Sequence, residues 1–229
     1  MPEPLPAGLP QAVRRHLEAL DGGFPPGAVV SLAGRGAVRE AVLGAAGIWL
    51  RLSFSLDLVP AREYRLEALV RLLRLAGPAM RSGFVRDRGI LAFGKRTFEG
   101  QAVDRAEQTA LLFWTVALAP GVLGRLAGVT WETRGEAEAR LVHPFRGEVL
   151  EAVLRFDSHS GQLATFEAMR HEVRAGRPVP WTVAVGPYRP VAGRLVPSEV
   201  TAAWDGTPSL RLELDRVGGP NATSDRPTS

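Results

Sequence analysis

The histidines and carboxylates are the residues from which a catalytic or metal site would have to be built. The chain has only 4 histidines and no cysteine, which excludes disulfides, thiol catalysis and cysteine-ligated zinc. His143, His159 and His171 lack the i, i+4 spacing of a helical metal pair, and no G-x-S-x-G motif supports a serine nucleophile. We therefore expect no metal site and no catalytic residue, and the missing motifs favour a non-catalytic protein.

A glycine pair near the N-terminus raises the question of a nucleotide cofactor. Residues 29–36 resemble a strand that leads into a phosphate-binding loop, with Gly34 and Gly36 in place. A dinucleotide fingerprint would need a third glycine at position 39, where the chain has Arg39, and no βαβ alternation follows. A strand that turns through residues 34–36 is the simpler interpretation, and we expect no cofactor.

The aromatic residues point to a different chemistry, the binding of an apolar ligand. The 5 tryptophans are spread along the chain, and each could be a core anchor or part of a cavity wall between a sheet and a helix. An arginine near such a wall could meet a carboxylate or phosphate headgroup. The predicted ligand-binding residues are Phe113, Trp114, Trp131, Arg170, Trp181 and Tyr188, and the predicted partner is an apolar small molecule or lipid.

Two other functions stay open beside this binding module. A carboxylate–arginine pair inside the cavity, such as Glu167 and Arg170, would suit an enzyme that acts on an apolar substrate. A packed interior would instead suit an interaction protein with a filled core. Buried, paired carboxylates with perturbed pKa values would favour the enzyme, and an open apolar pocket would favour the binding module.

The hydrophobic pattern predicts two helices that could position these residues. Val13, Leu17 and Leu20 recur at helical spacing near the N-terminus. Residues 104–119 form the second helix, with Asp104 as its N-cap and Glu107 completing a capping box. This second helix is apolar nearly all round, so we expect it to be buried against a large apolar face.

Strand patterns fill most of the remaining chain. Residues 48–58 alternate between apolar and polar, residues 64–75 fit a helix or a strand, and residues 84–93 predict a hairpin that turns at 87–89. Seven further strands are predicted over residues 129–134, 136–143, 148–156, 163–173, 181–188, 195–204 and 209–217. Closely spaced strands with segregated helices indicate an antiparallel α+β fold.

Composition and charge limit the kinds of partner and the cellular location that we expect. The 229 residues are 45% hydrophobic and 23% charged, which fits one globular domain over residues 1–217 with a disordered tail over 218–229. Lys+Arg is 28 against Asp+Glu 24, and the arginines are scattered along the sequence, so we expect no nucleic-acid partner. No secretory signal and no membrane-spanning run is visible, which predicts a cytoplasmic protein without an integral membrane segment.

A set of landmarks in a fixed order resembles a bacterial family of unknown function whose fold is similar to LolA-like lipoprotein carriers. The resemblance covers about residues 9–217 and rests on Leu9-Pro10-x-x-Val13-Arg14-Arg15-His16-Leu17, on Glu107, Trp114 and Ala119-Pro120, on Val129-Thr130-Trp131, on Leu154-Arg155-Phe156-Asp157-x-x-x-Gly161, on Pro180-Trp181 and Tyr188, and on Gly193-Arg194-x-x-Pro197 before Trp204. It implies a strongly curved antiparallel sheet, a half-barrel, with an N-terminal helix and a central apolar helix on its concave face. It also implies a lipid-sized cavity, and it carries over no catalytic residues.

Overall fold

The structure, a computed structural model, describes residues 8–20, 23–25, 27–39, 47–72, 75–125, 128–173 and 175–218. Within them lie two α-helices, α1 (Gln11–Ala19) and α2 (Gln101–Leu118), and a 3-10 helix, Pro120–Arg125. The strands before α2 are β1 (Val30–Arg39), β2 (Trp49–Val59), β3 (Glu63–Leu72), β4 (Leu75–Val85), β5 (Arg88–Phe93) and β6 (Arg96–Phe98). The strands after α2 are β7 (Thr130–Gly135), β8 (Glu138–Phe145), β9 (Glu148–Phe156), β10 (Leu163–Glu172), β11 (Arg177–Val185), β12 (Tyr188–Val191), β13 (Arg194–Pro197), β14 (Glu199–Trp204) and β15 (Thr207–Gly218).

Thirteen of the described strands form one antiparallel sheet in the order β6-β5-β4-β3-β2-β1-β15-β14-β11-β10-β9-β8-β7. The first and last described strands, β1 and β15, pair in the middle of the sheet. The two edges, β6 and β7, are consecutive among the described strands, with α2 between them. The chain therefore has to cross from one edge of the sheet to the other through α2. The sheet is not closed, and the predicted α+β fold with a curved half-barrel is confirmed.

Alternating burial explains why the sheet has one apolar face. In β2, Leu52, Phe54, Leu56 and Leu58 are buried while their neighbours are not, so the predicted alternation is confirmed from Leu52 onward. Of residues 64–75, which fitted a helix or a strand, residues 64–72 fold in β3 and Leu75 begins β4; residues 73 and 74 lie outside the described residues. Strand geometry places every second side chain on the core side, so these strands supply one wall of the interior.

Helix α2 begins at Gln101, three residues before the predicted start, and the predicted capping role of Asp104 is wrong. Gly100 occupies the N-cap position and no side chain caps the helix. The Asp104 carboxylate instead accepts a hydrogen bond from the Gly89 backbone N–H at 2.7 Å and forms an ion pair with Arg146. From position 103 to 118 every residue except Arg105 is buried, as the apolar sequence predicted.

The predicted turn at residues 34–36 is also wrong, because both glycines lie inside β1. A Cβ on Gly34 would stand 1.8 Å from the Glu213 carbonyl oxygen, and one on Gly36 would stand 2.1 Å from the Arg211 carbonyl oxygen. Glycine is needed here because β15 approaches β1 too closely for a side chain. The two glycines therefore serve strand pairing at the centre of the sheet.

Several predicted strand boundaries shift. The hairpin between β4 and β5 turns at Arg86 and Asp87, whose positive φ values of 51° and 61° are typical of a two-residue turn, and not at 87–89. The strand predicted over 195–204 is two strands, because β13 pairs with β12 in a separate two-stranded sheet. Residues 219–229 of the predicted tail lie outside the described residues. Neither described helix has the length and apolarity needed to cross a bilayer.

Candidate ligand cavity

A cavity of about 550 Å³ lies between the middle of α2 and the concave face of the sheet. Its walls come from both halves of the sheet, β1 and β3 to β6 on one side and β10, β11, β14 and β15 on the other. The helix contributes Ala106, Ala110, Phe113 and Trp114. Most of the remaining lining is aliphatic or aromatic, including Leu66, Met80, Leu91, Phe93, Phe98, Val179, Val183, Val200, Leu210 and Leu212.

The cavity reaches the surface at one end of the sheet. Its lining there includes Arg39, Asp205 and Ser209, and Asp205 is exposed; we call these three residues the mouth. Within α2, Trp114 is the last residue that lines the cavity, and the helix beyond it is buried to its end at Leu118. The space is therefore a cleft with a mouth and a packed end.

Aromatic rings form a continuous wall on one side of the cavity. The Phe113 ring centroid lies 6.1 Å from that of Trp181 and 4.9 Å from that of Trp114. Trp181 in turn lies 6.3 Å from Trp204. Tilted and edge-on contacts of this kind fix ring orientation beyond the effect of area burial, so this wall holds its shape without a ligand.

A buried polar cluster interrupts the apolar lining beside α2. Glu107 is fully buried, and its Oε2 accepts hydrogen bonds from Ser82 at 2.7 Å and from the Tyr64 hydroxyl. The Glu107 Oε1 accepts a hydrogen bond from Arg170 Nη2 at 3.0 Å. Burial, reinforced by the negative charge of Glu107, raises the pKa of the Tyr64 phenol well above its usual range. Tyr64 therefore stays protonated and acts as a hydrogen-bond donor rather than as a base.

The predicted pairing of Glu167 with Arg170 is wrong. The two residues are three apart on β10, so their side chains point to opposite faces of the sheet. Glu167 pairs with Arg155, whereas Arg170 turns inward to Glu107. The Arg170 guanidinium also lies over two ring faces, 4.7 Å from the Trp181 centroid and 5.3 Å from that of Trp204.

Four of the six predicted ligand-binding residues, Phe113, Trp114, Arg170 and Trp181, line the cavity. The structure places the other two elsewhere. Tyr188, on β12, donates a hydrogen bond to the Ala117 carbonyl at 3.1 Å, and Trp131, on the edge strand β7, packs against the core.

The sequence reasoning missed Glu107, the carboxylate that Arg170 contacts inside the cavity. It also missed Tyr64 and Ser82, whose hydroxyl groups donate hydrogen bonds to Glu107. One pattern could have revealed Glu107, because it is the last carboxylate of a helix whose next eleven residues carry no charge. Of the histidines considered as metal ligands, His143 contacts Gln108. Among the described residues no three His, Asp or Glu side chains come together as a metal site.

These observations define a class of protein: an open, curved antiparallel sheet that wraps around a buried helix and leaves an apolar cleft beside it. The chain belongs to the family of unknown function DUF6544, which matches residues 1–209. This confirms the resemblance to a family of unknown function. No curated protein matches the sequence.

Solved structures with similar folds share little sequence with this chain. A putative outer membrane lipoprotein-sorting protein domain from Vibrio parahaemolyticus is 9% identical, with a TM-score of 0.49 over 93% of this chain and 94% of that one. A LolA superfamily protein from Nitrosomonas europaea is 12% identical, with a TM-score of 0.49 over 90% and 92% of the two chains. A DUF1329 family protein from Desulfovibrio piger is 10% identical, with a TM-score of 0.46 over 94% and 92%. At these identities the likeness concerns the fold alone.

Proposed function

We propose that this protein is a non-catalytic binding module that holds an apolar, lipid-like ligand, such as an acyl chain, in the cavity beside α2. The observation that carries the proposal is the cavity itself, about 550 Å³ and lined mainly by apolar side chains. Ligand sites typically measure about 300–1,000 Å³ and combine an apolar lining with a few polar groups. A packed interior, as in the interaction protein with a filled core, would not leave such a space, because unfilled apolar volume forfeits packing contacts.

The charges around the cavity favour a binding mode in which the apolar part of the ligand lies inside the cavity. Glu107 and Arg170 neutralise each other, and the two oxygens of Glu107 already accept three hydrogen bonds. A ligand that enters this region therefore meets apolar walls and a satisfied ion pair. Arg39, at the mouth, forms no ion pair with the described residues, so we expect an anionic headgroup to stay near the surface. The contacts we propose for the apolar part are Phe113, Trp114 and Trp181, with Arg170 beside them.

The enzyme hypothesis has weaker support. It required a carboxylate–arginine pair in the cavity, and Glu107 with Arg170 is such a pair. The hydrogen bonds to Tyr64 and Ser82 join this pair to two further strands. Their arrangement supports a role in positioning α2, because no acceptor of Glu107 is left without a donor. We propose that the cytoplasmic location expected from the sequence holds, and cell fractionation would test it.

Two adjacent alanines on β14 provide the test of ligand binding. Ala202 is buried and lines the cavity, whereas the alternation of the strand turns Ala203 to the outer face. Ala202→Phe should place a ring in the cavity, and Ala203→Phe should leave the cavity unchanged. Native mass spectrometry of the purified wild-type protein should show a co-purified apolar molecule, and a titration with dansyl-labelled undecanoic acid should give saturable binding.

We expect Ala202→Phe to weaken the binding of this probe by at least about tenfold, since the ring occupies ligand space. Ala203→Phe should bind it like the wild type. Thermal melts of both variants establish that they are folded. The proposal fails if wild-type protein, stripped of any co-purified molecule, does not bind the probe, or if the two variants bind it equally well.

A further inference from the structure

Three arginines lie in one cross-strand row near the mouth of the cavity. In the register of the sheet, Ala37 of β1 is opposite Arg211 of β15 on one side and opposite Arg51 of β2 on the other. Arg51 is in turn directly opposite Arg71 of β3. All three arginines are exposed on the outer, convex face. We call Arg51, Arg71 and Arg211 the arginine row.

The arginine row is unusual because two of its members, Arg51 and Arg71, are directly opposite each other, and like charges in that position on a sheet are destabilising. None of its three members forms an ion pair with any residue that the structure describes. Two other arginines on the outer face do have acidic partners. Arg35 pairs with Asp215 at 3.1 Å, and Arg155 pairs with Glu138 at 3.0 Å. A repulsive arrangement that folding does not require is typical of a surface that meets a partner.

Apolar side chains surround the arginine row. The Arg211 guanidinium lies 4.6 Å from the ring centroid of Trp49, which is half-buried. Ile48, next to it, is 58% exposed, and Leu69, two residues from Arg71 on the same face of β3, is 41% exposed. Cations next to a tryptophan and exposed aliphatic side chains are the combination that the interface of a bilayer accommodates.

The arginine row also lies at the end of the sheet where the cavity opens. Arg39, one of the mouth residues, is the cross-strand partner of Trp49. A surface that held this end of the molecule would therefore face the mouth as well. A ligand that left the cavity there would reach that surface without a long path through water.

We propose that this end of the convex face docks on an anionic lipid bilayer through the arginine row, with Trp49, Leu69 and Ile48 at the interface. A bilayer offers many phosphates at a diffuse negative potential, which attracts arginines near it without a shaped pocket. A nucleic acid would satisfy the arginines but would leave the exposed aliphatic side chains in water. This inference goes beyond the binding module proposed above and does not depend on a ligand in the cavity.

Two charge-reversal variants with the same change in net charge test the proposal. Arg51→Glu combined with Arg71→Glu removes two members of the arginine row. Arg62→Glu combined with Arg88→Glu alters two exposed arginines at the opposite end of the same half of the sheet. Co-sedimentation is measured with vesicles of phosphatidylcholine alone and with vesicles that also contain phosphatidylglycerol, at low and at high salt.

We expect the wild type to bind the vesicles that contain phosphatidylglycerol and to dissociate from them at high salt. It should not bind the neutral vesicles of phosphatidylcholine alone. The variant in the arginine row should lose at least about tenfold in partitioning, and the control variant should keep most of it. The single variant Arg71→Glu should also lose binding while its unfolding midpoint rises, because a carboxylate then faces Arg51. This combination separates a docking defect from misfolding.

Three results would overturn the docking proposal. One is equal wild-type binding to neutral and anionic vesicles, and another is an equal loss in both double variants, which would reduce the effect to net charge. The third is displacement of the protein from the vesicles by a DNA duplex whose binding requires Arg51 and Arg71. That result would make a nucleic acid the partner. None of these results bears on binding of the dansyl-labelled probe, so this proposal and the proposed function can fail separately.

Discussion

Protonation of His16 should destabilise the protein in a pH window that can be calculated from the structure. His16, on α1, is fully buried. Its Nδ1 accepts a hydrogen bond from the Leu163 backbone N–H at 3.2 Å, so the ring proton is on Nε2, which donates to the Val116 carbonyl at 3.0 Å. The neutral ring thus joins α1 to α2 and β10. A second proton on Nδ1 would face a backbone N–H and break one of these bonds.

Burial lowers the pKa of His16 from 6.5 to about 4. Below pH 6.5 the unfolded chain takes up a proton at this position, whereas the folded protein does so only near pH 4. The stability that the neutral ring contributes is therefore complete above about pH 6.5 and is lost progressively as the pH falls from there to about 4. At about 1.36 kcal/mol per pKa unit, the loss amounts to roughly 3 kcal/mol.

Urea unfolding of the wild type and of His16→Gln, at a series of pH values from about 7.5 to 4, measures this loss. Glutamine keeps an N–H donor and an acceptor but does not titrate in this range. The free energy of unfolding of the wild type should fall by roughly 3 kcal/mol more than that of the variant. Burial also lowers the pKa of His143, but that contribution is the same in both proteins and cancels. Parallel pH profiles would refute the reasoning.

Two further substitutions test the site. Arg170→Met should lower the free energy of unfolding by about 3–5 kcal/mol, because it leaves the Glu107 charge buried without its cation. Urea melts should show that adding Glu107→Gln recovers part of this loss. Additive effects of the two substitutions would contradict the pairing. Trp114→Ala should cost less than the roughly 3–5 kcal/mol of a fully packed tryptophan, because one side of Trp114 faces the cavity, and it should change the affinity for dansyl-labelled undecanoic acid. A loss of the full roughly 3–5 kcal/mol, together with no binding of the probe by the wild type, would show that Trp114 is an ordinary core residue.

The features of the fold that could be predicted are those that depend on local periodicity. The alternation in residues 48–58 predicted β2, because a strand that is buried on one face carries an apolar residue at every second position. The apolar run after Glu107 predicted a buried helix because a helix apolar all round has no solvent face. Residues 64–75 stayed ambiguous, since their leucines fit both periods, and only pairing with β2 and β4 selects the strand.

The features that could not be predicted depend on which residues tertiary packing brings together. Arg170 contacts Glu107, 63 positions away. The uncharged run after Glu107 marks that carboxylate as buried, but nothing in the sequence shows that Arg170 pairs with it and not with Glu167. The arginine row joins residues at positions 51, 71 and 211, which look scattered in the sequence and become neighbours only through the strand register. Counting charges along the chain therefore missed the most concentrated unpaired positive charge near the mouth.

The polar contacts of α2 explain how a cavity can persist beside a helix that is otherwise packed on all sides. Apolar contact is non-directional, so a helix held by apolar contacts alone would settle onto the sheet until the space was filled. Glu107 instead bonds α2 to Tyr64 on β3, Ser82 on β4 and Arg170 on β10, strands from both halves of the sheet. Hydrogen bonds act only over a narrow range of distance and angle, so these bonds fix the height of the helix above the sheet. The buried ion pair of Glu107 and Arg170 is, on this reasoning, what keeps the cavity open.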